Sequence, residues 1–301
     1  MRVVVALGGN ALLRRGERPD AAIQREHVAD AASQLAKIAQ EHELLLVHGN
    51  GPQVGLLALE SGADTTLTRP YPLSDLVAET QGLIGYWLQQ GLRSAGLAGP
   101  VVTLVTQTVV DPLDPAFASP SKFVGSTYTE QQAGELAVEH GWEIRRDGSA
   151  WRRVVASPLP RRVVEVDVAR TLLAGGVTVV LGGGGGVPVV ETGGILSGVD
   201  AVVDKDHTAA LLATALGADV LVMLTDVPAV QLGFGTPSAR PLHRVDVADL
   251  DAKEFPDGSM GPKVAAACQF VTDTGGRAAI GSLDDAAAVV AGDAGTQITK
   301  R

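Results

Sequence analysis

The chain has 301 residues, room for one large or two ordinary domains, and 46% of it is hydrophobic while only 4% is aromatic. Alanine, valine, leucine and glycine dominate, which suits an α/β protein with buried parallel strands better than an all-β sandwich. A net charge of −10 argues against a nucleic-acid or anionic-membrane partner.

The first apolar run, Val3-Val4-Val5-Ala6-Leu7, passes directly into Gly8-Gly9-Asn10. Such a run, ended by glycine, reads as a buried strand whose carboxyl end opens into a loop. It spans only about five residues, too few for the apolar region of a signal peptide. Pro19 suits the first turn of a helix over 19–41, with Ala22, Val28, Ala32, Leu35, Ala36 and Ile38 on its apolar face. A second strand over 44–48 ends at His48 and passes into Gly49-Asn50-Gly51-Pro52. His48 reads as a packing or hydrogen-bonding residue at the strand end. A long helix is predicted over 73–95 and a third strand over 101–110.

At Asp111 the texture changes. Pro112, Pro115, Ser119 and Pro120 interrupt regular structure, and Lys122 stands between Ser121 and Phe123. Glu143 to Ser149 reads as a hairpin with an Asp147-Gly148 turn, continued by Trp151-Arg152-Arg153-Val154-Val155. An excursion of this length inside a βα pattern points to a lid or subdomain, here 111–156.

The βα rhythm resumes with a helix over 167–174 and a strand over 177–181 that ends in five glycines, Gly182 to Gly186. A segment over 199–203 leads into a helix over 206–216, with Asp206 as its N-cap. The strand over 219–224 ends at Thr225-Asp226. Residues 227–259 read as irregular. A helix over 261–274, opened by Pro262, is followed by a strand over 277–281, a helix over 283–291 and a strand over 296–298. The most apolar window, 208–224, is broken by Gly217-Ala218-Asp219 and reads as helix, turn and strand, not as a membrane span. Cys268, the one cysteine, reads as an inert thiol buried on a helix face, in keeping with a reducing, cytoplasmic compartment.

Three glycine loops behind three parallel strands suggest several anion contacts in one crevice, because backbone N–H groups approach closely where no Cβ intervenes. The six lysines sharpen this, set against eighteen arginines. Three of the six, Lys122, Lys205 and Lys263, sit among glycine, proline and aspartate. A compact ammonium follows a moving phosphoryl group as a point charge better than a planar guanidinium does. Lys205 and Lys263 also lie at predicted helix N-termini, where a cation is disfavoured until an anion binds between lysine and backbone N–H groups. Asp206 is placed to hold such lysines. The alternative reading of each is a solvated loop lysine. No Walker A loop, dinucleotide fingerprint, nucleophile elbow or zinc-ligand spacing is present. The residues point to phosphoryl transfer by positioning and charge neutralisation.

Gly8-Gly9-Asn10-Ala11-Leu12, His48-Gly49-Asn50-Gly51-Pro52-Gln53-Val54-Gly55, Val202-Val203-Asp204-Lys205-Asp206 and Ser259-Met260-Gly261-Pro262-Lys263-Val264 together resemble the carbamate kinase family, within the amino-acid kinase superfamily. Ser121-Lys122-Phe123-Val124-Gly125 and the closing Gly295-Thr296-Gln297-Ile298 extend the resemblance along the chain. It implies a three-layer αβα sandwich with a mainly parallel central sheet and a small protruding subdomain, assembled as a homodimer. Residues 1–205, with the 111–156 lid, would hold carbamate or carbamoyl phosphate. Residues 206–301 would hold ADP or ATP, with Mg²⁺ carried mainly by the nucleotide phosphates.

By match of motif, Lys205, Lys263, Asp206 and Lys122 are the expected catalytic residues. Gly8, Gly9, Asn10, Gly49, Asn50 and Gly51 are expected to bind the substrate, and Asp226, Met260, Gly261 and Lys263 the nucleotide. The implied reaction is carbamoyl phosphate plus ADP giving ATP and carbamate, in arginine catabolism. Leu159 stands where a basic residue is commoner in this family, and Val230-Gln231-Leu232 lacks a tyrosine often found near the adenine. Another acylphosphate-forming amino-acid kinase and a non-catalytic nucleotide or acylphosphate sensor are the alternatives. The two loop asparagines and the 111–156 excursion weigh against the first, and the three loop lysines against the second.

Overall fold

The computed structural model describes residues 1–14, 16–255 and 260–301, with every side chain among them except those of Asn10, Ser126 and Lys253. The chain opens with β1 (Arg2–Leu7), α1 (Ala21–Glu41), β2 (Glu43–His48), α2 (Gly51–Ala63) and α3 (Leu73–Ser94). Next come β3 (Val101–Thr103), β4 (Gln107–Val110), α4 (Pro115–Ala118), β5 (Lys122–Tyr128), α5 (Glu130–His140), β6 (Ile144–Asp147) and β7 (Ala150–Val155). The middle of the chain forms β8 (Pro160–Val163), α6 (Val166–Ala174), β9 (Thr178–Val180), β10 (Val187–Thr192), β11 (Ile195–Gly198) and α7 (Lys205–Leu216). The last part forms β12 (Val220–Thr225), β13 (Gln231–Leu232), β14 (Arg240–Pro241), β15 (Arg244–Asp246), α8 (Met260–Thr274), β16 (Arg277–Ser282), α9 (Ala286–Ala291) and β17 (Thr296–Thr299).

Among the described residues, eight strands form one sheet in the order β15-β17-β16-β12-β1-β2-β9-β3. Every pairing in it is parallel except β16 with β17. Successive side chains of a strand point to opposite faces, so both faces of this sheet are apolar and both are covered. Val4, Ala6, Leu45, Val47, Leu221 and Met223 pack under α6, α7 and α8. Val3, Val5, Leu7, Leu44, Leu46 and Val222 pack under α1, α3 and α9. The result is the expected three-layer α/β architecture. No described helix is long and apolar enough to cross a membrane.

The strand expected over 101–110 is two strands. β3 continues the main sheet beside β9, while β4 joins β11, β10 and β8 in a second, four-stranded sheet. The break falls at Thr106, whose N–H donates to Gln81 Oε1 at 2.7 Å and whose carbonyl accepts from Gln81 Nε2 at 3.1 Å. The Gln81 amide satisfies the N–H at the break, while the Thr106 carbonyl also accepts from the Val187 N–H at 2.7 Å and so already belongs to the second sheet. The stretch after Gly49-Asn50-Gly51-Pro52 carries no predicted element, yet α2 forms there, with Pro52 in its first turn as a helix-start signal. Residues 227–259 carry β13 to β15, and β15 extends the main sheet beside β17. Cys268 is half-buried, packed at the edge of the α8 core with its thiol pushed up by burial.

The 111–156 excursion forms its own antiparallel sheet, β5-β7-β6, with α5 against it. Asp147 pairs with Ala150 across a two-residue turn whose Gly148 has φ +61°, the handedness a tight hairpin demands.

Candidate active site

β1, β2, β9 and β12 run parallel as near neighbours, so their carboxyl ends open on one edge of the sheet. Gly8 and Gly9 follow β1, Gly49-Asn50-Gly51 follow β2, Gly184 lies in the glycine run after β9, and Asp226 follows β12. All of these line one crevice, together with Lys122, Asp204, Lys205, Asp206, Met260 and Lys263. Its volume of about 1230 Å³ exceeds the roughly 300–1,000 Å³ usual for a single-ligand pocket and suits two substrates side by side.

Two glycines show why the loops are glycine. A Cβ on Gly49 would sit 3.3 Å from the Gly9 nitrogen and 3.5 Å from the Lys205 stem, so the first two loops and that lysine are in mutual contact. Gly184 has φ +63°, and a Cβ there would fall 2.2 Å from the Asn50 amide nitrogen. The third loop is thus pressed against the second. Asn50 is held in turn by donating from Nδ2 to Thr80 Oγ1 at 2.9 Å.

Below these loops lies His48, fully buried. Its contact with the Gly49 carbonyl, 2.8 Å from Nδ1, makes Nδ1 the donor, since a carbonyl only accepts. Among the described residues Nε2 has no hydrogen-bond partner, and it faces Gly183, whose Cβ would stand 2.3 Å from it. Burial lowers the imidazole to about 4, partly opposed by the Gly49 carbonyl, so the ring is neutral at physiological pH. The strand-end hydrogen bond expected of His48 is present.

Two of the three lysines meet on one carboxylate. Lys205 Nζ donates to Asp206 Oδ1 at 2.6 Å and Lys263 Nζ to Asp206 Oδ2 at 3.2 Å. Asp206 is 3% exposed, so one buried carboxylate holds two ammonium groups drawn from different helices. Lys263 is lowered, first by burial and then by Lys205, with Asp206 opposing both. Lys122 reaches in from β5 to Asp204 Oδ2 at 3.1 Å. Burial alone would raise Asp204, but Lys122, Lys205 and the Asp206 amide hold its carboxyl far below the usual carboxylate range.

The N-cap of α7 is Asp204, whose Oδ1 accepts from the Asp206 N–H at 2.9 Å, and not Asp206 as the sequence suggested. Helix geometry explains the shift by two positions. The cap must precede the first turn so that its side chain can reach forward to an unpaired amide. Asp206, inside that turn, is left to face the lysines.

Of the residues expected to bind the nucleotide, Gly261 does not line the crevice. It is buried in the first turn of α8, while Met260, Pro262 and Lys263 face the opening. The backbone of Asn10 lies in the turn after β1, and its side chain falls outside the described residues, as does Ser259. Arg14, Arg152, Phe234 and Phe255 also line the crevice. Sequence gave no reason to single them out, because only the chain's return over long distances brings them there.

The amino acid kinase family matches residues 1–282 of this chain. The carbamate kinase of Rhizobium meliloti (strain 1021) is 48% identical over 303 residues, covering 99% of this chain and 93% of that protein. The carbamate kinase of Haemophilus influenzae is also 48% identical over 303 residues, covering 100% of this chain and 97% of its own length. The solved structure of carbamate kinase from Giardia lamblia bound to AMP-PNP superposes with a TM-score of 0.92 at 40% identity. It covers 100% of this chain and 98% of that one.

Proposed function

The chain belongs to the amino acid kinase family and functions as a carbamate kinase, and we propose that it moves a phosphoryl group between carbamoyl phosphate and ADP through the lysines gathered on Asp206. The observation that carries this is the buried carboxylate with two ammonium groups at the meeting of three glycine loops. In the synthetic direction a terminal oxygen of the ADP β-phosphate attacks phosphorus, the bond from phosphorus to the carbamoyl oxygen breaks, and carbamate leaves as an anion. The leaving group takes no proton, so the protein needs no general acid. The obstacle is repulsion between anions, which fixed cations and oriented N–H groups relieve.

Lys205 and Lys263 neutralise the phosphoryl group in transit, and Asp206 keeps both in place between turnovers. Gly8, Gly9, Asn10, Gly49, Asn50 and Gly51 would bind the carbamoyl phosphate end. Asp226, Met260, Gly261 and Lys263 would attend the nucleotide. The division of labour follows the sheet: residues 1–205 take the carbamoyl side and 206–301 the nucleotide side. Lys122 closes over the carbamoyl phosphate from the 111–156 lid.

Among the described residues no cluster of three or more His, Cys, Asp or Glu could cage a metal. What the crevice does offer is carboxylate oxygen, from Asp204, Asp206 and Asp226, the first two of which also hold lysines. That fits Mg²⁺ held mainly by nucleotide phosphates with one or two carboxylates, Asp226 being the one at the end of β12. Bound there, it would neutralise phosphate charge. A homodimer and a place in arginine catabolism complete the reading. A coupled assay with carbamoyl phosphate and MgADP, read as ATP, tests it. Equal rates with acetyl phosphate would overturn the choice of donor, and no ATP with either would overturn the reaction.

A further inference from the structure

The segment from Asp200 to Asp206 carries three carboxylates, and each holds a cation from elsewhere in the chain. Asp206 holds Lys205 and Lys263, and Asp204 holds Lys122 of β5. Asp200 holds Arg153 of β7, with Nη2 to Oδ2 at 2.5 Å. Two of the cations brought to this segment from outside it therefore belong to the lid subdomain. The backbone joins them: Ala156, just past β7, bridges to Ala201, and the Val202 N–H donates to the Ala156 carbonyl at 3.0 Å.

Arg153 is built for this position. It is only 14% exposed, and its guanidinium lies 4.6 Å from the Trp142 ring centroid. Stacking on one side and a carboxylate at the edge leave a planar fork little freedom. Asp200 is engaged on its other oxygen too, accepting from the Leu73 N–H at 3.4 Å at the start of α3. An anion there also suits the helix dipole. α3 in turn carries Thr80 and Gln81, which hold Asn50 and Thr106.

We infer that Asp200 is a positioning residue that latches the lid to the crevice through Arg153. The inference rests on the reading of 111–156 as a lid carrying Lys122. Lys122 must exchange Asp204 for the carbamoyl phosphate anion when substrate enters. At that moment the lid loses one of its two ion pairs with this segment. Arg153–Asp200 lies clear of the substrate-lining residues, so it keeps β5 and β7 docked while Lys122 changes partner.

Asp200→Asn tests this, because the carboxamide keeps the shape and removes the charge at an exposed position. Initial rates with carbamoyl phosphate and ADP varied separately should show KM for carbamoyl phosphate raised about fivefold, the upper range for a partly exposed ion pair, with KM for ADP within twofold. Amide hydrogen exchange in Lys122–Tyr128 and Ala150–Val155 should quicken, and Asp200→Glu should restore both. In a Lys122→Ala background the same substitution should add less than twofold, since the latch acts through Lys122. An unchanged KM for carbamoyl phosphate, equal changes in both KM values, or the full fivefold effect without Lys122 would overturn the latch. If Lys122→Ala alone leaves carbamoyl phosphate kinetics intact, the lid reading itself falls, and the latch with it. Unchanged exchange rates in the lid strands count against the latch whichever substrate the enzyme prefers.

Discussion

The crevice floor and the 111–156 subdomain both bring lysines to one crevice, under different constraints. On the floor, the side chains of Lys205 and Lys263 are 12% and 13% exposed and are pinned to the buried carboxylate of Asp206. Their helices pack on the central sheet, and the loops around them touch backbone to backbone. On the lid, Lys122 is 38% exposed, and α5 buries only Ala133. Its small sheet rests on the body through Val124 and Val155 and a few ion pairs. A charge held rigidly in a poorly solvated place needs no reorganisation as the phosphoryl group moves, so it acts on the transition state. A charge on a lightly anchored unit acts by closing over bound substrate. The comparison therefore predicts that floor and lid substitutions divide between kcat and KM.

The largest effect should come from Lys205→Ala or Lys263→Ala, each lowering kcat by about a hundredfold to a thousandfold, the range for one electrostatic group. Rates at saturating substrates, on protein shown folded by circular dichroism, check this. A variant with near-normal kcat would break the contrast by removing that lysine from the mechanism.

The floor should also be the acid-sensitive part of the molecule. His48 stays neutral in the folded protein down to about 4, while in the unfolded chain it binds a proton near 6.5. Between those values the unfolded state holds more protons, so stability falls as pH is lowered through that window, by up to about 3 kcal/mol. Urea unfolding from pH 7 to pH 4 measures it. His48→Asn keeps a donor for the Gly49 carbonyl and should flatten this part of the profile.

Two glycines with nearly the same φ separate packing from backbone strain. Gly184→Ala forces a Cβ against the Asn50 amide, whereas at Gly148, on the lid hairpin, no atom lies within 4 Å of the added carbon. Gly184→Ala should cost about 2–4 kcal/mol by chemical denaturation. Gly148→Ala should cost about 1 kcal/mol, from the left-handed backbone alone. Similar costs at both sites would mean the glycine run is not tightly packed.

Lys122→Ala sharpens the contrast from the lid side. KM for carbamoyl phosphate should rise about tenfold, as for one charge-assisted hydrogen bond, with KM for ADP within a few-fold. Equal weakening of both substrates would place Lys122 on the floor in function, whatever its exposure.

Much of this was legible along the chain. The apolar runs ending in glycine located β1, β2 and β9, because a parallel strand covered on both faces must be apolar throughout. Lysines standing beside aspartate, glycine and proline pointed to the crevice that Lys122, Lys205 and Lys263 line, because such company is wasteful for a merely solvated charge. Less legible were the elements that depend on a partner. The split of 101–110 at Thr106 needs Gln81, twenty-five residues upstream in another layer. The role of Asp204 as cap, with Asp206 turned inward, follows from where α7 starts, and helix ends are the least determined part of a local pattern.

Sequence by itself determined the α/β class, the three glycine loops and the identity of the lysines, since these follow from residue type and short-range order. Tertiary structure decided which carboxylate serves which cation. Lys205 has acidic neighbours on both sides, yet only the packing of α7 against α8 directs it and Lys263 to opposite oxygens of Asp206. Arg153 and Asp200 are 47 residues apart and meet because β7 and the approach to α7 run side by side. Local propensity fixes a residue's chemistry and its element. The partner across space depends on long-range closure of the chain, whose geometry no short window of sequence contains.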